Sequence, residues 1–141
     1  MIRSLAILGS VALGCAAAPA AAASEAFIAG AAAYEAGTES MMKPQEQAEF
    51  AYCAGYWTVW TEALDSETVP EEELEVLSPV LQAMSAAFQG MGWMTKLEES
   101  DTLTAEVDEG RNEASKFLKE TLAGDVQSAK NLFGTLGACE L

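Results

Sequence analysis

The side chains able to do chemistry in this sequence are cysteines and carboxylates, because the chain contains no histidine. Without imidazole there is no Ser-His-Asp or Cys-His nucleophilic pairing. Haem attachment through Cys-x-x-Cys-His and most zinc ligand sets are excluded as well. Cysteine occurs at Cys15, Cys53 and Cys139. Cys53 and Cys139 cannot form a Cys-x-x-Cys redox motif, and in an exported chain an even pair is expected to be joined. That bridge would close a loop of about 87 residues, worth roughly 4–5 kcal/mol on chain-entropy grounds.

Acids number 22 against 7 Lys and Arg. Paired carboxylates can run acid–base chemistry such as glycoside hydrolysis. Glu71, Glu72, Glu73 and Glu75, however, crowd an expected helix start, where they complement the dipole. Glu98, Glu99 and Asp101 fall in a polar connection. Asp108, Glu109 and Glu113 lack the spacing of a calcium loop. Gly90 and Gly92, followed by Trp93-Met94-Thr95-Lys96, lack the spacing of a phosphate-binding loop. Met91 and Met94, with Met41 and Met42 elsewhere, supply thioethers suited to copper(I), although methionine more often fills core gaps. Trp93 reads either as a partner anchor or as a loop tryptophan folded over the end of the fold. No cofactor, metal site or catalytic residue is expected.

The elements that must position these residues begin with a leader. One positive charge at Arg3, an apolar run over residues 5–13 and small residues over 16–23 describe a signal peptide. The apolar run is too short to span a bilayer, which takes about 20 residues. Ala21-Ala22-Ala23 before Ser24 gives the best cleavage site. Cys15 offers an alternative, since a small residue before a cysteine resembles the lipobox of bacterial lipoproteins, with Ala12 where that motif usually has leucine. Lipidation at Cys15 would anchor the protein to a membrane.

About 118 residues follow the cut, enough for one domain. Residues 24–43 read as an alanine-rich arm or short helix with a linker, and residues 44–141 as a helical domain. Phe27, Ile28, Ala31 and Tyr34 share one side of the first segment. Pro44 suits a first helical turn, with Glu46 and Glu49 near the positive end of the dipole. Phe50, Cys53, Trp57, Trp60 and Leu64 then recur at steps of three and four, and Tyr52, Tyr56, Val59 and Ala63 widen that face. So broad a stripe marks a central helix. Thr68 and Glu71 match a capping box. Leu74, Leu77, Leu81, Met84 and Phe88 keep the same rhythm across Pro79, with a kink or break expected near Leu77-Ser78 and the unbroken phase arguing for a kink. Gly90 to Trp93 should end that helix.

A third long helix is expected over residues 102–123, weakened at Gly110 and stopped by Gly124. Asp125 caps a last helix ending at Gly137. Short connections favour antiparallel neighbours, so the expected fold is all-α: an up-and-down bundle of four or five helices with one disulfide.

Loss of Arg3 with the leader leaves 6 basic residues against 22 acidic ones, a net charge of −16. Such a chain repels nucleic-acid phosphates and anionic membranes and attracts basic partners. The run Cys53-Ala54-Gly55-Tyr56, in an acidic, alanine-rich background, resembles periplasmic immunity proteins that neutralise type VI secretion effectors. It covers four of 141 residues and identifies no family. The plan of leader, one disulfide and few helices is similar to acid-activated periplasmic chaperones, with no shared residue motif.

The expectation is therefore a periplasmic or secreted, non-enzymatic protein that binds a basic partner protein in the manner of an inhibitor or immunity protein. Its candidate contacts are Trp93, Glu71, Glu72, Glu73, Glu98, Glu99 and Asp101. The alternatives are an acid-responsive chaperone, a carboxylate-only hydrolase and a copper(I)-binding protein.

Overall fold

A computed structural model describes residues 22–98 and 101–141. Residues 1–21, with the apolar run of the expected leader and Cys15, lie outside the described residues. Every regular element described is helical: α1 (Glu25–Thr38), α2 (Gln47–Asp65), α3 (Glu71–Leu74), α4 (Ala83–Thr95), α5 (Asp101–Leu122) and α6 (Val126–Ala138), with a 3-10 turn at Pro79–Leu81. The all-α expectation holds, and one disulfide joins Cys53 to Cys139 with Cα atoms 5.4 Å apart. The helices number six among the described residues, α3 being a single turn.

The sequence stripe on α2 becomes the centre of the core. Glu46 and Glu49 form the capping box that starts this helix, so Pro44 lies just outside it. Cys53, Tyr56, Trp57 and Trp60 are almost wholly buried. Truncating either tryptophan to alanine would cost about 3–5 kcal/mol. Both indole N–H groups reach backbone carbonyls, Trp57 to Cys139 at 2.9 Å and Trp60 to Leu81 at 2.7 Å. Burial of these rings therefore leaves no donor unpaired. α4 lies antiparallel along α2: Gln47 Nε2 donates to Lys96 O at 3.0 Å, and the Phe50 and Trp93 rings stand 5.4 Å apart. Further along the same pair, Gly90 meets Trp57.

α5 crosses α2 closely. A Cβ added at Gly110 would fall nearer than 3.0 Å to Tyr52 O, and one at Gly55 equally near to Val107 O. Gly110, a weak point by helix propensity, is where two backbones meet. Beyond it, Gly124 takes φ +97° and ends α5. The Asp125 carboxylate then accepts the Ser128 N–H at 2.7 Å and starts α6, which runs one residue past Gly137.

The alanine-rich α1 is a core helix and not an arm. Phe27 and Tyr34 are buried, while Ile28, expected inward, is 54% exposed. Its partner is α6, and the two run parallel: Gly30 meets Phe133, and Gly137 meets Tyr34 and Thr38. The Tyr34 hydroxyl donates to the Glu140 carboxylate, where burial and that bond push its pKa well above the ordinary tyrosine value.

The largest departure from expectation lies between α2 and α4. The capping box at Thr68 and Glu71 is not formed; Pro70 precedes α3 with no side-chain cap, and the Thr68 and Ser66 hydroxyls pair instead. The expected kink at Pro79 is a full break. Ser78 is extended (ψ 143°), and Ala83 takes φ 30° at the entry to α4. The residue before a proline is pushed out of the α region, and the ring has no N–H to continue the ladder. Leu77 and Leu81 stay buried, but the rhythm restarts out of phase. Ala86, Gly90 and Trp93 now face inward, while Met84 and Phe88 are 72% and 61% exposed. Gly90 and Gly92 do not end the helix, which continues to Thr95.

Candidate functional site

Where the disulfide ties α2 to the end of α6, three elements and a connection enclose a groove of about 380 Å³. The connection before α2 contributes Met42, Lys43 and Pro44, and α2 contributes Ala48, Glu49, Tyr52 and Cys53. Glu106 and Glu109 come from α5, and Thr135, Ala138 and Cys139 from the end of α6. Each wall has a local cause. Glu49 Oε2 accepts the Gln45 and Glu46 N–H groups at 2.7 and 3.1 Å, fixing the connection as it enters α2. The glycine crossing sets how near α5 stands. The α6 wall is held by Cys139, whose carbonyl accepts the indole N–H of both Trp57 (2.9 Å) and Trp93 (2.6 Å). Leu141 N–H, two residues on, donates to Gln89 Oε1 at 2.8 Å.

Charge in the groove is unbalanced. Glu49, Glu106 and Glu109 line it with Lys43 as the single cation among the lining residues. The N–H groups of Gln45 and Glu46 hold the Glu49 carboxyl below its usual range, so it carries its charge at neutral pH and is a poor proton donor. Beside them, Tyr52 and Tyr56 both donate to one oxygen of Glu113, Tyr56 at 2.7 Å, and the phenol oxygens are 3.3 Å apart. Burial, together with the bond to Glu113, pushes Tyr52 up to about 12, and Tyr56 is raised further. Both phenols therefore stay protonated at neutral pH. They fix Glu113, with Tyr52 alone of the three lining the groove, and they offer no general base. The arrangement suits recognition of a cation: charged carboxylates above an apolar floor, with an aromatic ring alongside.

The candidate contacts named from sequence do not converge here. Trp93 is 4% exposed, its ring inside the core and its N–H used by Cys139, which removes it from any contact surface. Glu71 is exposed on α3, and Glu73 is bound to Ser24. Glu98 lies near the other end of α2, where its N–H donates to Gln47 Oε1 at 3.0 Å. The span of α2 between these acids is roughly 28 Å at 1.5 Å per residue. Glu99 and the side chain of Asp101 fall outside the described residues. Glu109 lines the groove and Glu113 does not, and among the described residues no three such side chains gather closely enough to hold a metal ion. Met42 belongs to this groove, whereas Met91 and Met94 line another of about 410 Å³ between α2 and α4.

Comparison with family models, curated proteins and solved structures finds no match for this chain.

Glu49, Glu106 and Tyr52 were legible only as parts of helices. Glu106 and Glu109 stand three apart on α5, one helical face, but a face of acids is common in so acidic a chain. Nothing local ties that face to Glu49, 57 residues away by number.

Proposed function

We propose that this is an exported, non-enzymatic protein that binds a basic partner protein, with the groove beside the disulfide as its receptor for a lysine or arginine side chain. The observation that carries the reading is the convergence of Glu49, Glu106 and Glu109 on one apolar-floored groove. The strongly acidic whole supports it by steering cationic partners toward the surface. A disulfide is compatible with an oxidising compartment, where such an inhibitor-like protein would act.

The test is capture from periplasmic extract at low and moderate salt by the wild type and by E49Q/E106Q/E109Q. Glutamine at position 49 preserves the capping box, so the variant should keep its helical circular dichroism. Exposed ion pairs are worth about 0.2–1 kcal/mol each. The variant should therefore lose roughly 0.6–3 kcal/mol, about three- to 150-fold in Kd, for any basic protein recovered. Equal capture by both proteins would remove the groove from the function.

One observation favours a second reading, the acid-responsive chaperone. Met84, Phe88, Met91 and Met94 leave α4 with an exposed apolar face. Methionine-rich faces adapt to varied apolar segments. Suppression of client aggregation at pH 3 would support that reading over the first.

A further inference from the structure

Ser24 has two roles in the fold. Its hydroxyl accepts the Phe27 N–H at 3.4 Å and so caps α1. Its backbone nitrogen also donates to Glu73 Oε2 at 2.9 Å, and its hydroxyl donates to the same oxygen at 3.2 Å. Glu73 comes from α3, 49 residues away, so these bonds fasten the first turn of α1 to the segment after α2. Among the described residues the basic side chain within 4.0 Å of a carboxylate is Arg111, on Glu62; Glu73 has no such cation. Glu49 and Asp125 serve the starts of their own helices, whereas Glu73 brings its charge to the start of α1 from another element. A neutral amide fills the position with one N–H, and an ammonium would fill it with three donors and a matching charge.

We propose that the chain is processed between Ala23 and Ser24, and that the α-ammonium so formed is seated on Glu73 as an ionic latch between α1 and α3. This rests on the reading of residues 1–23 as a signal peptide, whose small residues Ala21 and Ala23 occupy the positions a signal peptidase requires. In the cut, water adds across the peptide bond. The Ala23 carbonyl carbon takes the oxygen and leaves as a carboxylate with the leader, and the Ser24 nitrogen takes the protons and becomes –NH3+. A bare positive charge at the start of α1 would be repelled by the positive end of the helix dipole. Glu73 offsets that repulsion. The amide hydrogen bond of the precursor becomes a charge-assisted one in the mature chain, the stronger kind. Cleavage at a neighbouring alanine would leave Ser24 an amide and put the ammonium where Glu73 does not meet it.

The experiment begins with intact mass and N-terminal sequencing of the protein exported from the full precursor; a start at Ser24 is expected. NMR titration of the Ser24 α-amine should then give a pKa about half to one unit above the ordinary 7.7–8.0. That rise should vanish in E73Q, whose amide oxygen keeps the hydrogen bond without the charge. Acetylating Ser24 should lower the melting temperature of the wild type and leave that of E73Q unchanged, which covers the case of a variant with altered folding. A start at Ala22 or Ala23 would overturn the latch while leaving the leader intact. An uncut chain would overturn both. A start at Ser24 with the same amine pKa in wild type and E73Q would also overturn the latch.

Discussion

Replacing Gly110 by alanine separates the two roles a helical glycine can have. In an unconstrained helix interior the change would stabilise the protein by about 1 kcal/mol through propensity. Here the new Cβ would fall nearer than 3.0 Å to Tyr52 O, with the Tyr52 carbonyl carbon and Cα at 3.1 Å. Those are backbone atoms of a buried helix, so no side chain can rotate away and α5 must retreat from α2. Overpacking of this kind costs about 1–3 kcal/mol, and more where backbone has to move. Because backbone must move, the upper part of that range applies, about 2–3 kcal/mol. Less the propensity gain of about 1 kcal/mol, the net expectation is a loss of about 1–2 kcal/mol. That corresponds to roughly 3–10 °C in Tm for a domain of this size.

Gly90→Ala serves as the internal control. Its Cβ would meet Trp57 Cβ at 3.6 Å, an ordinary contact, so the propensity gain should survive and the variant should be as stable as wild type or more so. Thermal and urea unfolding followed by circular dichroism would measure both. The Gly110 variant should also move Glu113 away from Tyr52 and Tyr56, lowering the alkaline titration midpoint of those phenols. Equal stability of the two alanine variants would refute the claim that backbone approach sets the α2–α5 spacing.

Alkali should unfold the protein through its buried phenols. The folded pKa of Tyr52 is about 12 against 10.0 unfolded, so its contribution is complete below pH 10 and is lost as pH rises toward 12. Absorbance at 295 nm should show delayed ionisation relative to urea-unfolded protein; coincident curves would contradict the buried network. In acid the sign reverses. Glu49 and Asp125 have folded pKa values below their ordinary 4.5 and 3.8. Their contribution is therefore present above those values and fades as pH falls below them. Both are exposed cap residues, and relief of like-charge repulsion opposes the loss. At pH 3 the helical signal should persist and Phe50, Trp57 and Trp60 should stay covered. Loss of tryptophan near-ultraviolet dichroism at pH 3 would overturn this.

The α2 stripe was legible because nothing interrupts its period: Cys53, Trp57 and Trp60 face inward as their spacing requires. The disulfide followed from an even cysteine pair and the expectation of an oxidising compartment. Met84 and Phe88 misled because a period can stay in phase on paper across Pro79, while the chain spends residues 78–83 on extended and 3-10 geometry and re-enters α4 rotated. Ile28 misled in a segment so rich in alanine that either face looks apolar. The groove was out of reach because its walls, Glu49, Glu106 and Cys139, are joined by tertiary structure alone. Trp93 looked like a loop residue because two glycines flank its neighbour Met91, and propensity yielded to packing against Phe50.

The pairing of α1 with α6 has a temporal consequence. A chain emerging N-terminus first presents Phe27 and Tyr34 almost at once, yet the helix that covers them comprises residues 126–138. Cys53 likewise waits for a partner 86 residues later, and the Trp57 indole waits for the Cys139 carbonyl. Contacts of such long sequence separation form late and slowly. Among the described residues, α1 thus lacks its main native cover until nearly the last residue has been delivered.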